Sequence, residues 1–458
     1  MQKVFTKRFL PLVFVGLMLI GAGCSAGSST KPTDSGAKET PDKSAVKSIS
    51  TDELKDKVEA TDWVVVDTRI NDAFNGWAID GVTRGGHIKG AVDFSANWLT
   101  VQVDKQEEKL DSILKEKGIT ADQNVVLYDS NGKERKAVAQ YLSKKGFKNL
   151  YEYDVKEWAN NNELPMEAYP NYQLIVPAVW VNDLIKGNNN GKPYKVFEVS
   201  WGAESKDYKN GHIPGAVHIN TDEVEEGPIW NRISDSRLEQ FAENNGITVD
   251  TTVVLYGADP MAAYRVAAIL KYMGVEEVKV LNGGWAAWAN AAYTVETKAN
   301  QKAPVADFGG KVPANGEYIV DMPEAKQILA DKEHSKLVDI RSWVEFTGQT
   351  SGYDYIKGKG RPAGSVWGHA GSDPSNLQDF RNLDNTMRNG AEIMKFWAAE
   401  GITPEQKLSF YCGTGWRAAE VLIYADVMGL KNISLYDGGW NEWSNTPGSP
   451  IETGEPKK

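Results

Sequence analysis

Gly401-Ile402-Thr403, then Leu408-Ser409-Phe410-Tyr411, then Cys412-Gly413-Thr414-Gly415-Trp416-Arg417 decide the fold, because two other segments fall into register with them. Gly118-Ile119-Thr120 leads to Tyr128 and Gly246-Ile247-Thr248 leads to Tyr256, so the glycine-to-tyrosine spacing is ten each time. Eighteen residues beyond each tyrosine stands another glycine: Gly146, Gly274 and Gly429. Each unit then closes on Trp-Ala-Asn or Trp-Ser-Asn, at Trp158, Trp288 and Trp443. The period exceeds the roughly 20–50 residues of solenoid repeats and marks tandem domains. The length of 458 residues agrees, since about 150 residues per domain predicts three. The expected boundaries are 47–168, 169–310 and 311–453.

Within each unit the short apolar run before the tyrosine reads as a buried strand, by its length and its branched side chains. In the third unit Ala418, Val421, Leu422, Ala425 and Met428 then recur at three- and four-residue spacings, one face of a helix that Gly429 stops. A further short strand follows at 433–436. Strands alternating with helices predict an α/β fold in each unit: an open, mostly parallel sheet with helices on both faces and sites at the carboxyl ends of the strands. The position after each tyrosine sits there. It is Asp129 in the first repeat, Gly257 in the second and Cys412 in the third, so only the third can do thiol chemistry.

A lone cysteine is more often a small buried hydrophobe than a nucleophile. The loop changes that reading. Gly413 and Gly415 let the backbone of Gly413-Thr414-Gly415-Trp416-Arg417 curl between strand and helix, so that its amides converge on one point. Such a nest, joined to the positive end of the following helix, stabilises negative charge on the sulfur. No histidine lies within 40 residues of Cys412 to act as a base. Arg417 closes the loop as a fixed cation for an anionic donor; its alternative is a helix-surface arginine.

Composition bounds the rest. With 41% hydrophobic and 25% charged residues the body is ordinary globular protein, and a formal charge of −11 argues against nucleic acid as a partner. The first residues form an address: Lys3, Lys7 and Arg8, an apolar run over 9–20, then Gly21-Ala22-Gly23-Cys24. Small residues before a cysteine resemble the bacterial lipoprotein processing box, in which Cys24 would be lipidated. Gly21 departs from the branched aliphatic residue usual there, and cleavage as an ordinary secretory signal is the alternative. Either way the chain is expected to be exported, held at the outer face of a bacterial membrane by its lipid or periplasmic. Residues 25–46, rich in Ser, Thr, Lys and Gly, read as a flexible linker. Two cysteines in all, one of them Cys24, leave no internal disulfide framework if Cys24 is lipidated, and no metal-ligand spacing or cofactor motif is visible.

The strand, the Cys-x-x-Gly-x-Arg loop and the helix, with Leu337-Val338-Asp339-Ile340-Arg341 upstream and Asp437-Gly438-Gly439-Trp440 downstream, resemble a rhodanese domain. The other repeats agree: Gly211-His212-Ile213-Pro214-Gly215-Ala216 and Asn282-Gly283-Gly284-Trp285 in the second, Val66-Asp67-Thr68-Arg69 and Gly86-His87-Ile88-Lys89-Gly90-Ala91 in the first. The resemblance covers about 47–450 and extends to exported bacterial sulfurtransferases with three rhodanese domains, the last one active. It implies that Cys412 takes a sulfane sulfur from a small anionic donor such as thiosulfate, holds it as a persulfide, and hands it to cyanide or a thiol, a protein thiol included. The arginine lies five positions after the cysteine, where related phosphatases place it six after, and the smaller cradle favours sulfur over phosphate.

Three arginines are candidates for substrate: Arg417, Arg341 and Arg361. Arg341 could instead form an ion pair with Asp339 that orients the site, but Asp67 and Arg69 recur in the thiol-less first repeat, which favours a structural role. His87, His212 and the Gly-Gly-Trp turns recur without a cysteine and read as structural. Glu345 stands where mercaptopyruvate-using relatives often carry arginine. Lys357, Lys359 and Arg361 in the segment 352–364 could line an anion entrance or form a solvated loop. Trp416 could wall the pocket or pack a domain interface. The competing reading is a sulfur carrier or partner-binding protein; phosphatase chemistry is a third.

Overall fold

Val253-Val254-Leu255-Tyr256, Val125-Val126-Leu127-Tyr128 and Leu408-Ser409-Phe410-Tyr411 are buried throughout. Runs with no exposed face are stable in a strand covered on both sides. In the computed structural model, which describes residues 46–188 and 191–456, each run belongs to the middle strand of a five-stranded parallel sheet.

The strand order is the same three times. On one side of the middle strands Asn124–Asp129, Thr252–Tyr256 and Lys407–Tyr411 lie Trp63–Asp67, Tyr194–Ser200 and Ser335–Asp339, followed by the edges Val92–Asp93, Val217–Asn220 and Val366–Trp367. On the other side lie Leu150–Asp154, Glu277–Leu281 and Ile433–Tyr436, followed by Lys47–Ser48, Ile175–Val176 and Ile319–Val320. The register is also shared: the tyrosine that ends or nearly ends each middle strand pairs with Asp67, Glu198 or Asp339. Parallel neighbours need a crossover. The helices Glu134–Lys144, Pro260–Met273 and Trp416–Val427 supply it directly after the middle strands, and the last of them ends just before Gly429.

One feature of the packing exceeds the expectation of three like domains. The second and third repeats share a single apolar core, in which Phe197, Val253 and Leu255 are continuous with Val338, Phe410 and Leu435. The helices Pro260–Met273 and Trp416–Val427 pack against each other at its centre, with Tyr264 and Tyr424 edge to face at 5.3 Å. The first repeat keeps separate apolar clusters around Leu54 and Trp158 and around Phe94 and Trp98.

Polar contacts join all three repeats. Asn282 Nδ2 donates to Asn71 Oδ1 at 2.9 Å and to Asp72 Oδ1 at 3.0 Å, while Asn282 Oδ1 accepts from Met387 N at 2.9 Å. Burial, with the nearby Asp384 adding to it against the Asn282 hydrogen bond, pushes the Asp72 carboxyl up to about 7. Burial also raises Asp384. A carboxyl raised in the folded state favours the protonated form there, so its contribution to stability is complete below the unfolded value of about 4 and is lost as pH rises towards 7. We expect Asp72→Asn to raise the melting temperature at pH 8 by about 2–4 °C relative to its effect at pH 5, read by calorimetry. An equal effect at both values would contradict the assignment.

The leader 1–24 with Cys24, and the linker as far as residue 45, lie outside the described residues. Among the described residues no helix is long and apolar enough to cross a membrane.

Candidate active site

Cys412 follows directly on the strand Lys407–Tyr411 and is 1% exposed. Its loop is fixed from the carbonyl side: Cys412 O accepts from Trp440 N at 2.8 Å, and Gly413 O accepts from Asn441 N at 3.0 Å. With those carbonyls engaged, Gly415 N donates to Cys412 Sγ at 3.2 Å. Gly415 has φ of 100° and begins the helix Trp416–Val427, whose first-turn amides have no acceptor within the helix. Gly413 is required for a different reason. A Cβ there would meet the Tyr353 ring at 2.3 Å, so the loop and that ring pack as closely as backbone permits.

Arg417 is buried and bidentate on Glu345: Nη1 donates to Oε2 and Nη2 to Oε1, each at 2.9 Å. Nη2 also donates to Tyr353 Oη at 3.1 Å. Burial opposes ionisation of Glu345, but the Arg417 guanidinium wins and holds the carboxyl below its usual range. The anion-side cation therefore arrives with its own counter-charge, rigid in direction and modest in net field.

A cavity of about 400 Å³ opens between the second and third repeats beside this loop. The third repeat contributes Tyr353, Tyr355, Thr414, Trp416 and Arg417; the second contributes Trp201, Glu225, Trp230, Asp259 and Met261. Trp416 both walls the cavity and ties the repeats together, its Nε1 donating to Glu225 Oε1 at 2.7 Å. Burial pushes Glu225 up to about 7, against the pull of Arg265 and the Trp416 hydrogen bond. Arg265 Nε donates to Glu225 Oε2 at 3.0 Å, and its Nη1 lies 2.7 Å from Asp437 Oδ1. Arg232 also donates to Asp437, from its backbone N at 2.9 Å and from Nη1 at 3.0 Å. A Cβ on Gly415 would meet Arg265 Nη1 at 2.9 Å. The second repeat thus braces the Cys412 loop of the third.

Of the expected site residues, Cys412, Gly413, Thr414, Gly415, Trp416 and Arg417 come together. Arg341 and Arg361 do not, which corrects both as substrate ligands, while the structural reading of Arg341 as the partner of Asp339 agrees with its contacts. Arg341 is fully buried, its Nε and Nη2 donate to Asp339 and its Nη2 to Gly360 O, so its hydrogen bonds hold the sheet end together. Arg361 lies 4.4 Å over the Phe346 ring and donates to Phe346 O and Gly454 O. It takes the place that His87 and His212 take on Phe74 and Tyr208. The segment 352–364 reaches the cavity through Tyr353 and Tyr355; Lys357 and Lys359 are spent on backbone carbonyls of Asp354 and Gln349. Sequence reasoning did not place Tyr353, Tyr355, Glu225, Trp201 or Trp230 at the site. No local spacing links the second repeat's Glu225 to Trp416.

The sister loops differ in more than the thiol. In the first repeat Asp129 accepts from Gly132 N at 2.9 Å and Arg135 N at 3.0 Å and pairs with Arg135 Nη1, so a carboxylate fills the amide nest. In the second, Asp259 caps the helix through Met261 N, and Pro260 has no amide to give.

The comparisons agree with this geometry. The family model for the rhodanese-like domain matches residues 50–161, 180–291 and 321–446. The chain is 43% identical over 406 residues to the thiosulfate sulfurtransferase YnjE of Escherichia coli, covering 87% of this chain and 91% of that one. It superposes with a TM-score of 0.85 and 38% identity on the anaerobic ergothioneine biosynthesis enzyme of Chlorobium limicola, solved with its natural substrate trimethyl histidine, over 90% of this chain and all of that one. A structure of EanB holding a cysteine persulfide in a tetrahedral intermediate state with ergothioneine matches equally well, at TM-score 0.85 and 38% identity over 90% of this chain. Three copies of the fold, one of them with a thiol in an amide nest, and relatives that span nearly the whole length lead to one conclusion: the chain belongs to the rhodanese-like family.

Proposed function

We propose that the protein moves sulfane sulfur through a persulfide on Cys412 to a small acceptor held in the cavity between its second and third repeats. It is a sulfurtransferase of the rhodanese type. The Cys412 thiolate attacks the outer sulfur of a donor such as thiosulfate; the S–S bond breaks, sulfite leaves with the electron pair, and the sulfur stays on Cys412 as a persulfide. Gly415 N already donates to the sulfur, and with the positive end of the following helix it stabilises negative charge there, which suits a reaction that alternates between thiolate and persulfide. A nucleophilic acceptor then takes the terminal sulfur and returns the thiolate.

One observation favours a particular acceptor. The cavity is walled by the rings of Trp201, Trp230, Tyr353, Tyr355 and Trp416 with the Glu225 carboxylate among them, a lining suited to a quaternary ammonium cation. Trimethyl histidine, the substrate of the Chlorobium limicola relative, has that cation together with an imidazole to accept sulfur. Cyanide or a thiol remains the acceptor for a plain thiosulfate sulfurtransferase. Glu225 loses its proton as pH rises through about 7. We therefore expect KM for trimethyl histidine to fall about tenfold between pH 6 and pH 8 in steady-state assays. Glu225→Gln should flatten that profile and leave KM for cyanide unchanged. No turnover of trimethyl histidine with robust turnover of cyanide would reject this acceptor and keep the transfer chemistry.

We also propose that residues 1–24 export the chain and that Cys24 carries a lipid, on the strength of the basic start, the apolar run over 9–20 and the small residues before Cys24. Cys24→Ser should move the expressed protein from the membrane to the soluble fraction. Unchanged fractionation would remove the anchor.

A further inference from the structure

In the first and third repeats the residue paired with the middle-strand tyrosine is an aspartate, with an arginine two positions on. Arg341 Nη2 donates to Asp339 at 2.6 Å and to Gly360 O at 2.8 Å, and its guanidinium carbon lies 4.9 Å from the Trp440 ring and 5.7 Å from the Tyr411 ring. Arg69 repeats this on Asp67 and on Gly86 O, each at 2.6 Å, 5.4 Å from the Tyr128 ring. In the second repeat the register-equivalent acid is Glu198, and Ser200 stands where the arginine would be.

The arginine is gone but its surroundings are kept. Glu198, Gly211, Tyr256 and Trp285 correspond to Asp339, Gly360, Tyr411 and Trp440, and they line a cavity of about 150 Å³ bordered by exposed Asp207 and Asn210. Glu198 is 2% exposed, and its Oε1 has no hydrogen-bond partner among the described residues. Its Oε2 is 2.7 Å from His218 Nδ1, and His218 Nε2 is 2.8 Å from Gly202 O. Even with His218 charged, Glu198 and Asp207 leave the cavity negative.

We infer that this cavity is a binding site for a guanidinium group presented from outside the fold. The carboxylate oxygen, the glycine of the turn and the tyrosine ring reproduce the surroundings that hold a guanidinium in both sister repeats, and the Trp285 ring reproduces the Trp440 ring of the third. An ammonium lacks the planar fork and the stacking face that this arrangement uses. The site shares no lining residue with the cavity beside Cys412. Its occupant is either a small free guanidinium compound or an arginine side chain of another protein.

The test is calorimetric titration of the full chain with methylguanidine and with the tripeptides Gly-Arg-Gly and Gly-Lys-Gly. Methylguanidine should bind saturably with Kd on the order of millimolar. Both Glu198→Gln, which keeps the shape, and Ser200→Arg, which supplies an internal guanidinium, should weaken it at least about tenfold. Gly-Lys-Gly should bind about tenfold or more weaker than Gly-Arg-Gly. Tighter binding of Gly-Arg-Gly than of methylguanidine assigns the site to a protein arginine; equal or weaker binding assigns it to a free compound. Ser200→Arg should also raise the melting temperature, because it fills the cavity. No saturable binding to the unaltered chain, unchanged binding in either variant, or a fall in the melting temperature of Ser200→Arg would overturn the inference.

Discussion

Cys412→Ser is expected to reduce sulfur transfer by more than about 10³-fold while leaving the melting temperature within about 2 °C. A serine fits the same space, keeps the strand end and can still accept from Gly415 N, so nothing in the packing gives the variant a reason to unfold. What it lacks is the chemistry. The hydroxyl is a far poorer nucleophile than a thiolate at neutral pH and cannot hold a sulfane sulfur. The other repeats cannot compensate: Asp129 fills its own nest and Gly257 has no side chain. The measurement is turnover with thiosulfate and cyanide beside a thermal melt. Retention of even about a tenth of the activity would move the chemistry away from Cys412.

The second large effect lies outside the repeat with the thiol. Arg265→Ala removes a fully buried guanidinium that joins Glu225 to Asp437. Deleting one partner of a buried ionic network strands the others, at a cost of about 3–5 kcal/mol. Burial opposes ionisation of Asp437, and Arg265 with Arg232 now holds it below the usual range; losing one of them weakens that hold. The carboxylate sits immediately before Gly438-Gly439-Trp440, whose backbone binds the Cys412 carbonyl. We expect a loss of stability in denaturant melts together with a fall in kcat of at least about tenfold at a temperature where the variant remains folded. Normal kcat in the folded variant would reduce Arg265 to a stability role. The shared core makes a related point: the third repeat cut away from the second would expose the Tyr424 ring and the helix face around it that now pack on Tyr264 and its helix.

The fold was legible because each repeat spells the same local events in the same register. Buried runs ending at Tyr128, Tyr256 and Tyr411 became middle strands, and Gly429 follows its helix end as its position implied. The loop after Cys412 was legible for a similar reason, since a turn of this kind is built from consecutive residues and two glycines announce it. What lay beyond reach was everything decided by contacts distant in sequence. Arg361 looked like an anion ligand because an unpaired arginine in a sulfur-transfer site would be one, whereas the Asp339–Arg341 pair was legible from its recurrence as Asp67 and Arg69. Their partners, Gly360 O for Arg341 and Gly454 O for Arg361, are set by the folded chain. Glu225 and Trp416 are 191 positions apart and meet only when two repeats fuse their cores. Ser200 is the instructive case. The break in the Asp-x-Arg pattern at Glu198-Val199-Ser200 is written in the sequence, but its consequence is a cavity, and a cavity is visible only in three dimensions.

The central claim is that sulfur rests on Cys412 between donor and acceptor. It is tested most directly by the intact mass of the protein lacking residues 1–24, before and after thiosulfate, alongside Cys412→Ser. A gain of one sulfur atom, lost on adding cyanide and absent from the serine variant, is the predicted result. A chain that stays unmodified with thiosulfate, mercaptopyruvate and polysulfide alike, or a serine variant that gains the same mass, would contradict it.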